Sequence, residues 1–207
     1  MLQLETFGGL TLSAPGGTPA PTTRLRLALL ALLASAGSRG LTRDKMLAYL
    51  WPESTPENAR HALEQLLYAL RRQLPPDIVT GGDPLRLNPA VVTSDVGQFE
   101  QRLAAGDLEG ATALYRGPFL DGVFLTDSPE FEAWVEAERT RLARDCQTAL
   151  YELAKQAGAR GNATAEIACW RRLTAADPLS ERAAAGLVRA LAGAGDWSAA
   201  TEHARAY

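Results

Sequence analysis

The side chains with the greatest chemical reach in this sequence lie between Thr55 and Leu74. At roughly 100° per residue, Ala59, Leu63, Leu66, Leu67, Leu70 and Leu74 fall on one side of a helix. His61, Gln65, Tyr68 and Arg72 fall on the other, flanked by Arg60, Glu64 and Arg71. A glutamine amide matches the donor and acceptor that adenine shows in the major groove, arginine matches guanine or a phosphate, and tyrosine and histidine bond phosphates. The stripe therefore has the chemistry of a duplex-DNA contact. Taken alone it would also suit a helix face that meets only water, so the elements around it decide. Arg43 and Lys45, at the start of a shorter helix, could hold backbone phosphates, and Arg86, in a strand further on, could reach the minor groove or a phosphate.

Other chemistries lack their residues. The sequence holds no glycine loop ending in Gly-Lys-Ser/Thr, no His-Glu-x-x-His and no Gly-x-Ser-x-Gly. Gly8-Gly9, Gly16-Gly17 and Gly81-Gly82 read as turns, and His61 and His203 belong to separate parts of the chain. Cys146 and Cys169 are not spaced for zinc and read as buried thiols in a reducing compartment. We expect no catalytic residue, no metal site and no cofactor. The N-terminus has no basic segment followed by an apolar run, and Leu25–Leu33 is too short to span a bilayer. A cytoplasmic protein with no membrane partner is the expectation.

The elements that must carry the stripe follow from turn and cap signals. Leu2–Leu12 is rich in strand formers interrupted by Gly8-Gly9, and Ala14–Thr22 is Pro/Gly-rich punctuation. Leu25–Leu33 is apolar on nearly every side, as a fully buried helix is, and ends at Gly37 and Gly40. Thr42 opens a second helix that Pro52 closes, with Tyr49 packing near its end and Trp51 assigned to the core. Thr55-Pro56 starts the third, which runs to Pro75-Pro76. Ile78–Thr80, Gly81-Gly82-Asp83-Pro84 and Leu85–Leu87 then read as strand, turn and strand. Three helices and a hairpin make a winged helix-turn-helix.

Beyond Asp95 alanine dominates and strand signals vanish. Helices are expected at 96–105, 108–115, 130–156, 163–175, 181–192 and 197–207. Ala165, Ala168 and Cys169 recur in kind about 35 residues later as Ala200, His203 and Ala204, which suggests helix-turn-helix repeats meeting through small residues. The fold expected is mostly α: a winged helix-turn-helix (α+β) in residues 1–95, followed by an all-α tetratricopeptide-like domain in residues 96–207. Net charge is −3, and it divides unevenly: nine Arg/Lys against eight Asp/Glu up to Asp95, twelve against sixteen after it. Any DNA contact thus belongs to the N-terminal part, and non-specific coating of nucleic acid is excluded.

Three stretches resemble a known family: Leu41–Lys45 leading to Leu50-Trp51-Pro52, Tyr68–Leu74, and Tyr115-Arg116-Gly117-Pro118-Phe119-Leu120. The first half resembles the response-regulator type of winged helix, and nearly the whole chain resembles SARP-like activators with a bacterial transcriptional activation domain. The resemblance implies a sequence-specific, DNA-binding transcription activator that binds promoter repeats as side-by-side protomers and contacts RNA polymerase. It places Arg60, His61, Gln65, Tyr68, Arg71 and Arg72 at or near DNA. The long connection Pro52–Thr55 would then offer Glu53 and Ser54 to the polymerase. Ala69 departs from relatives that carry a basic residue there, and no receiver domain is expected ahead of the winged helix. The second domain is expected to be truncated at Tyr207, inside a continuing helix. The near-neutral first half leaves one alternative, a helical-repeat adaptor whose winged helix docks protein.

Overall fold

The computed structural model describes residues 1–207. In chain order the elements are β1 (Leu2–Glu5), β2 (Thr11–Ser13), α1 (Arg24–Ala36), a 3-10 turn (Gly37–Arg39), α2 (Arg43–Leu50), α3 (Pro56–Gln73), β3 (Val79–Thr80), β4 (Arg86–Leu87) and β5 (Val92–Ser94). They continue as α4 (Asp95–Ala104), α5 (Leu108–Leu114), α6 (Pro129–Ala159), α7 (Ala163–Ala176), α8 (Glu181–Gly193) and α9 (Trp197–Ala206). The mostly α fold, with an α+β winged-helix part at the N-terminus and a helical second part, is the one read from the sequence. No helix is long and apolar enough to cross a membrane.

The residues form two compact units: Met1–Gln101 with Leu114–Leu142, and Arg102–Ala113 with Ala143–Tyr207. The first unit contains a sheet of order β2-β1-β5, in which β1 runs antiparallel to β2 and parallel to β5. Leu2 and Leu4 alternate with the exposed Gln3, so one face of β1 is buried, as period-two patterning requires. Within α1 every residue from Ala28 to Ser35 is buried. An uninterrupted Ala/Leu run has no polar face to offer water, so the chain surrounds it with other elements.

Asp95 fastens the start of α4 to the first turn of the chain. Its carboxylate is 2% exposed as a residue and accepts from the Thr6 N–H at 2.8 and 2.9 Å, the Thr6 hydroxyl at 2.6 Å, the Phe7 N–H at 3.0 Å and its neighbour Val96 N–H at 2.8 Å. Charge-assisted bonds of this number offset the cost of burying a carboxylate. The segment 115–120 lies along the same turn. Gly8 N–H donates to the Pro118 carbonyl at 2.9 Å, Leu120 N–H to the Thr6 carbonyl at 2.8 Å, and Arg116 pairs with Glu5 at 3.0 Å. Phe119 and Leu120 are wholly buried, and Arg139 from α6 donates to both of their carbonyls at 2.7 Å. The aromatic rings of Phe7, Phe99 and Tyr115 cluster around this seam, and Trp134 meets Tyr49, Phe119 and Phe131.

The second unit is all helix. Asn162, Ser180 and Asp196 each precede a helix and accept from the N–H three residues on, the N-cap geometry that stops and restarts the chain between α6, α7, α8 and α9. Consecutive helices pack on each other, α8 on both α7 and α9. The close approach lies elsewhere than the sequence suggested: Ala168 is exposed and Cys169 and Ala165 only half-buried, while Trp170 and Leu173 carry the buried face. The indole of Trp170 lies so near Gly186 that a Cβ there would come within 2.5 Å of the ring. Trp170 also meets Tyr151 edge-on at 5.6 Å, and Arg182 sits 4.2 Å from the centre of the Tyr151 ring. Cys146 is buried, which pushes its thiol up to about 11, whereas Cys169 is half-buried and shifted in the same direction by the same cause.

Trp51, assigned to the core from its sequence position, is half-buried. It caps the end of α2, its backbone N–H donating to the Leu47 carbonyl where the chain leaves the helix. A larger consequence concerns residues 114–142, which pack within the first unit. A polypeptide ending at Asp95 lacks Phe99, Phe119, Phe131 and Val135, each at most 1% exposed, and at roughly 1.5–3 kcal/mol per buried apolar side chain the loss rivals a domain's net stability. Residues 1–95 alone are therefore expected to unfold without a cooperative transition in urea followed by circular dichroism, whereas residues 1–142 keep one. A sharp transition in the shorter fragment, with the midpoint of the longer, would contradict this packing.

Candidate nucleic-acid interface

The outward face of α3 is built by one amphipathic helix with firm ends. The Thr55 hydroxyl accepts from Asn58 N–H at 3.4 Å, Pro56 occupies the first turn, and Leu74 caps the other end before Pro75. Ala59, Leu63, Leu66, Leu67, Leu70 and Leu74 are all buried, the six residues that helical spacing places together. Arg60, His61, Gln65, Tyr68, Arg71 and Arg72 are all exposed, Tyr68 to 64%.

Contacts along this face orient it before any ligand arrives. The Gln65 amide nitrogen donates to His61 Nε2 at 2.7 Å, which leaves the amide oxygen of Gln65 to accept from outside. The guanidinium of Arg72 lies 6.0 Å from the centre of the Tyr68 ring. At the helix end Arg26 from α1 donates to the Gln73 amide oxygen, so α3 is held to α1 outside the leucine face as well. Lys45 on α2 is exposed, and so are Glu53 and Ser54 in the loop before α3.

The hairpin β3–β4 is tied to the helices by two arginines. Arg43 donates its backbone N–H to Asp83 Oδ1 at 3.0 Å and its Nε to the Gly82 carbonyl at 3.1 Å, which anchors the hairpin turn to the start of α2. Arg86 on β4 donates its Nε to the Ser38 carbonyl at 2.8 Å, in the turn after α1. Both side chains are half-buried and partly occupied by these carbonyls. The sequence offered both to DNA phosphates without showing these contacts, because a spacing argument reveals a side chain's chemistry and not its tertiary partner. Leu41 and Leu85 complete the attachment, each N–H donating to the other's carbonyl at 2.9 Å.

Residues 92–206 match the family model of the bacterial transcriptional activator domain, more than half of the chain. The chain belongs to that family. Comparison with curated proteins gave no match. Among solved structures, the chain is similar to EmbR of Mycobacterium tuberculosis, described in complex with a low affinity phosphopeptide, with a TM-score of 0.71 and 28% identity. The match covers 99% of this chain and 58% of EmbR, so the chain spans little more than half of that protein's length. The SARP-like activator character read from the three sequence stretches is thus supported by family and by structure. The family's span begins at Val92 and takes in 115–120, the segment hydrogen-bonded along the turn after β1.

Gly40 tests whether the hairpin is seated as described. Its φ is 70°, and a Cβ there would come 2.5 Å from the Leu85 carbonyl oxygen. Gly40→Ala is expected to cost about 1–3 kcal/mol in urea denaturation, through left-handed strain and displacement of the Leu41–Leu85 bridge. Unchanged stability would mean that the hairpin is not held there.

Proposed function

We propose that this chain binds double-stranded promoter DNA by laying the outward face of α3 in the major groove, with β3–β4 as the wing, and that it activates transcription from that position. The observation that carries this reading is the separation of faces along α3 and its cap: Ala59, Leu63, Leu66, Leu67, Leu70 and Leu74 are buried, and Arg60, His61, Gln65, Tyr68, Arg71 and Arg72 all face solvent. A recognition helix in a winged helix needs such a free face, with base-reading groups toward its N-terminal half and phosphate-binding groups at its end. Gln65 suits a base edge, because His61 holds its amide nitrogen and aims the free oxygen. Arg71 and Arg72, in the last turn, suit phosphates, as does the exposed Lys45. Arg43 and Arg86 contribute by setting the wing against α2 and the turn after α1, with phosphate contact as a second role.

The finer parts of the reading follow the family. Activation is proposed to proceed through RNA polymerase, with the exposed Glu53 and Ser54 on the polymerase side, and binding to promoter repeats through side-by-side protomers. Neighbouring protomers on repeats raise each other's effective concentration, which compensates for a domain whose net charge is close to neutral.

Gln65→Ala is expected to cost roughly 1–3 kcal/mol on a cognate duplex and to relax preference at one base position in a binding-site selection. Arg72→Ala is expected to weaken cognate and random duplexes about equally and to lower the salt slope by about one. Leu67→Ala, by contrast, should destabilise the fold by about 2–5 kcal/mol in urea. If Gln65→Ala left both affinity and the selected sequence unchanged, α3 would not be the base-reading helix. Glu53→Ala should lower promoter activation in a transcription assay at undiminished DNA affinity, and a matching loss of affinity would move this loop to the DNA side.

A further inference from the structure

A cavity of about 840 Å³ lies within the first unit, beside the wing and away from the outward face of α3. That volume is within the roughly 300–1,000 Å³ of small-ligand sites. Its apolar lining is the half-buried Leu87 on β4 and the exposed Pro89, backed by the buried Leu33, Ala34 and Val92. Two charged side chains border it, and they differ in how they are balanced. Glu100 on α4 is neutralised, since Arg141 Nη2 donates to its Oε1 at 2.7 Å. Arg86 has no carboxylate within ion-pair distance, and its one hydrogen bond uses Nε, toward the Ser38 carbonyl.

An apolar lining beside an unbalanced guanidinium selects for a molecule that is apolar at one end and anionic at the other. The planar fork of arginine pairs a carboxylate, sulfonate or phosphate through two bonds, and here Nε is already spent, so the terminal nitrogens remain for the anion. The amide of Gln98, on the α4 side, can bond the polar end of the same molecule. We propose that this cavity binds a small amphipathic organic anion, its apolar body on Leu87 and Pro89 and its charged group against Arg86. The site uses none of the exposed residues of α3 and shares only Arg86 with the DNA reading.

The test titrates the full chain with two fluorescent probes that share a ring system, anilinonaphthalene sulfonate and the uncharged phenylnaphthylamine. The anionic probe is expected to saturate one site per chain and to bind about tenfold more tightly than the neutral one, the gain of one charge-assisted contact. Arg86→Gln should remove that difference while leaving the neutral probe bound. Gln98→Trp, which fills the cavity from α4 without disturbing the Ser38 contact, should abolish both. Absence of saturable binding, equal affinity of the two probes, or affinity unmoved by Gln98→Trp would each overturn the proposal. If Arg86→Gln loses its fold with the Ser38 contact, the comparison of probes on the unaltered chain and the Gln98→Trp result still decide it.

Discussion

A carboxylate almost closed to water, that of Asp95, joins the turn after β1 to the beginning of α4. It accepts from three groups of Thr6 and Phe7 and from the first free N–H of its own helix, so removing it would leave several buried donors without partners at once. The rest of the first unit is arranged around this point. β5 reaches Asp95 directly and pairs with β1 in parallel, and the segment 115–120 lies along the same turn, with Arg116 approaching the carboxylate at 4.0 Å. Two regions far apart in sequence thereby share one seam.

That seam explains why a stretch after the winged helix belongs to the unit that presents α3. Phe119 and Phe131 are fully buried there, and Trp134 packs on Tyr49 of α2, next to the loop that leads into α3. On α6, Glu138 accepts from the Ser35 hydroxyl at the end of α1 and from Arg141, whose guanidinium is held protonated by Glu138 and Glu100. The helices that support the outward face of α3 are thus braced from behind by residues of the activator domain. Wing position is set separately, by Arg43 on Gly82 and Asp83 and by Arg86 on Ser38.

Much of this was legible where the signal was local. The face of α3 followed from eighteen residues of unbroken period with a Thr-Pro start, and the burial of α1 from a run of apolar residues with no polar side. The hairpin followed from Gly81-Gly82-Asp83-Pro84, and the helices of the second unit from the dominance of alanine and the lack of strand signals beyond Asp95. What was not legible depends on partners distant in sequence. β5 is three residues long and pairs with β1 some 90 positions earlier, with no turn to announce it. Asp95 marks a change of composition in the sequence, and only the fold shows that the same residue is the fastening point. Arg116-Gly117-Pro118-Phe119-Leu120 stood out as a motif, but its physical meaning, main-chain pairing with Thr6 and Gly8, needs the turn after β1 beside it.

An α3 face supported in this way is offered, on the function proposed above, to the phosphates and bases of duplex DNA. The most direct measurement is the fluorescence anisotropy of a labelled duplex, taken from a selection against the full chain, across a series of salt concentrations. Several phosphates neutralised by Lys45, Arg60, Arg71 and Arg72 predict a steep linear fall of log affinity with log salt. A chain that recovers no preferred duplex, or whose affinity stays flat with salt, would contradict the account and leave the winged helix as a protein-docking surface.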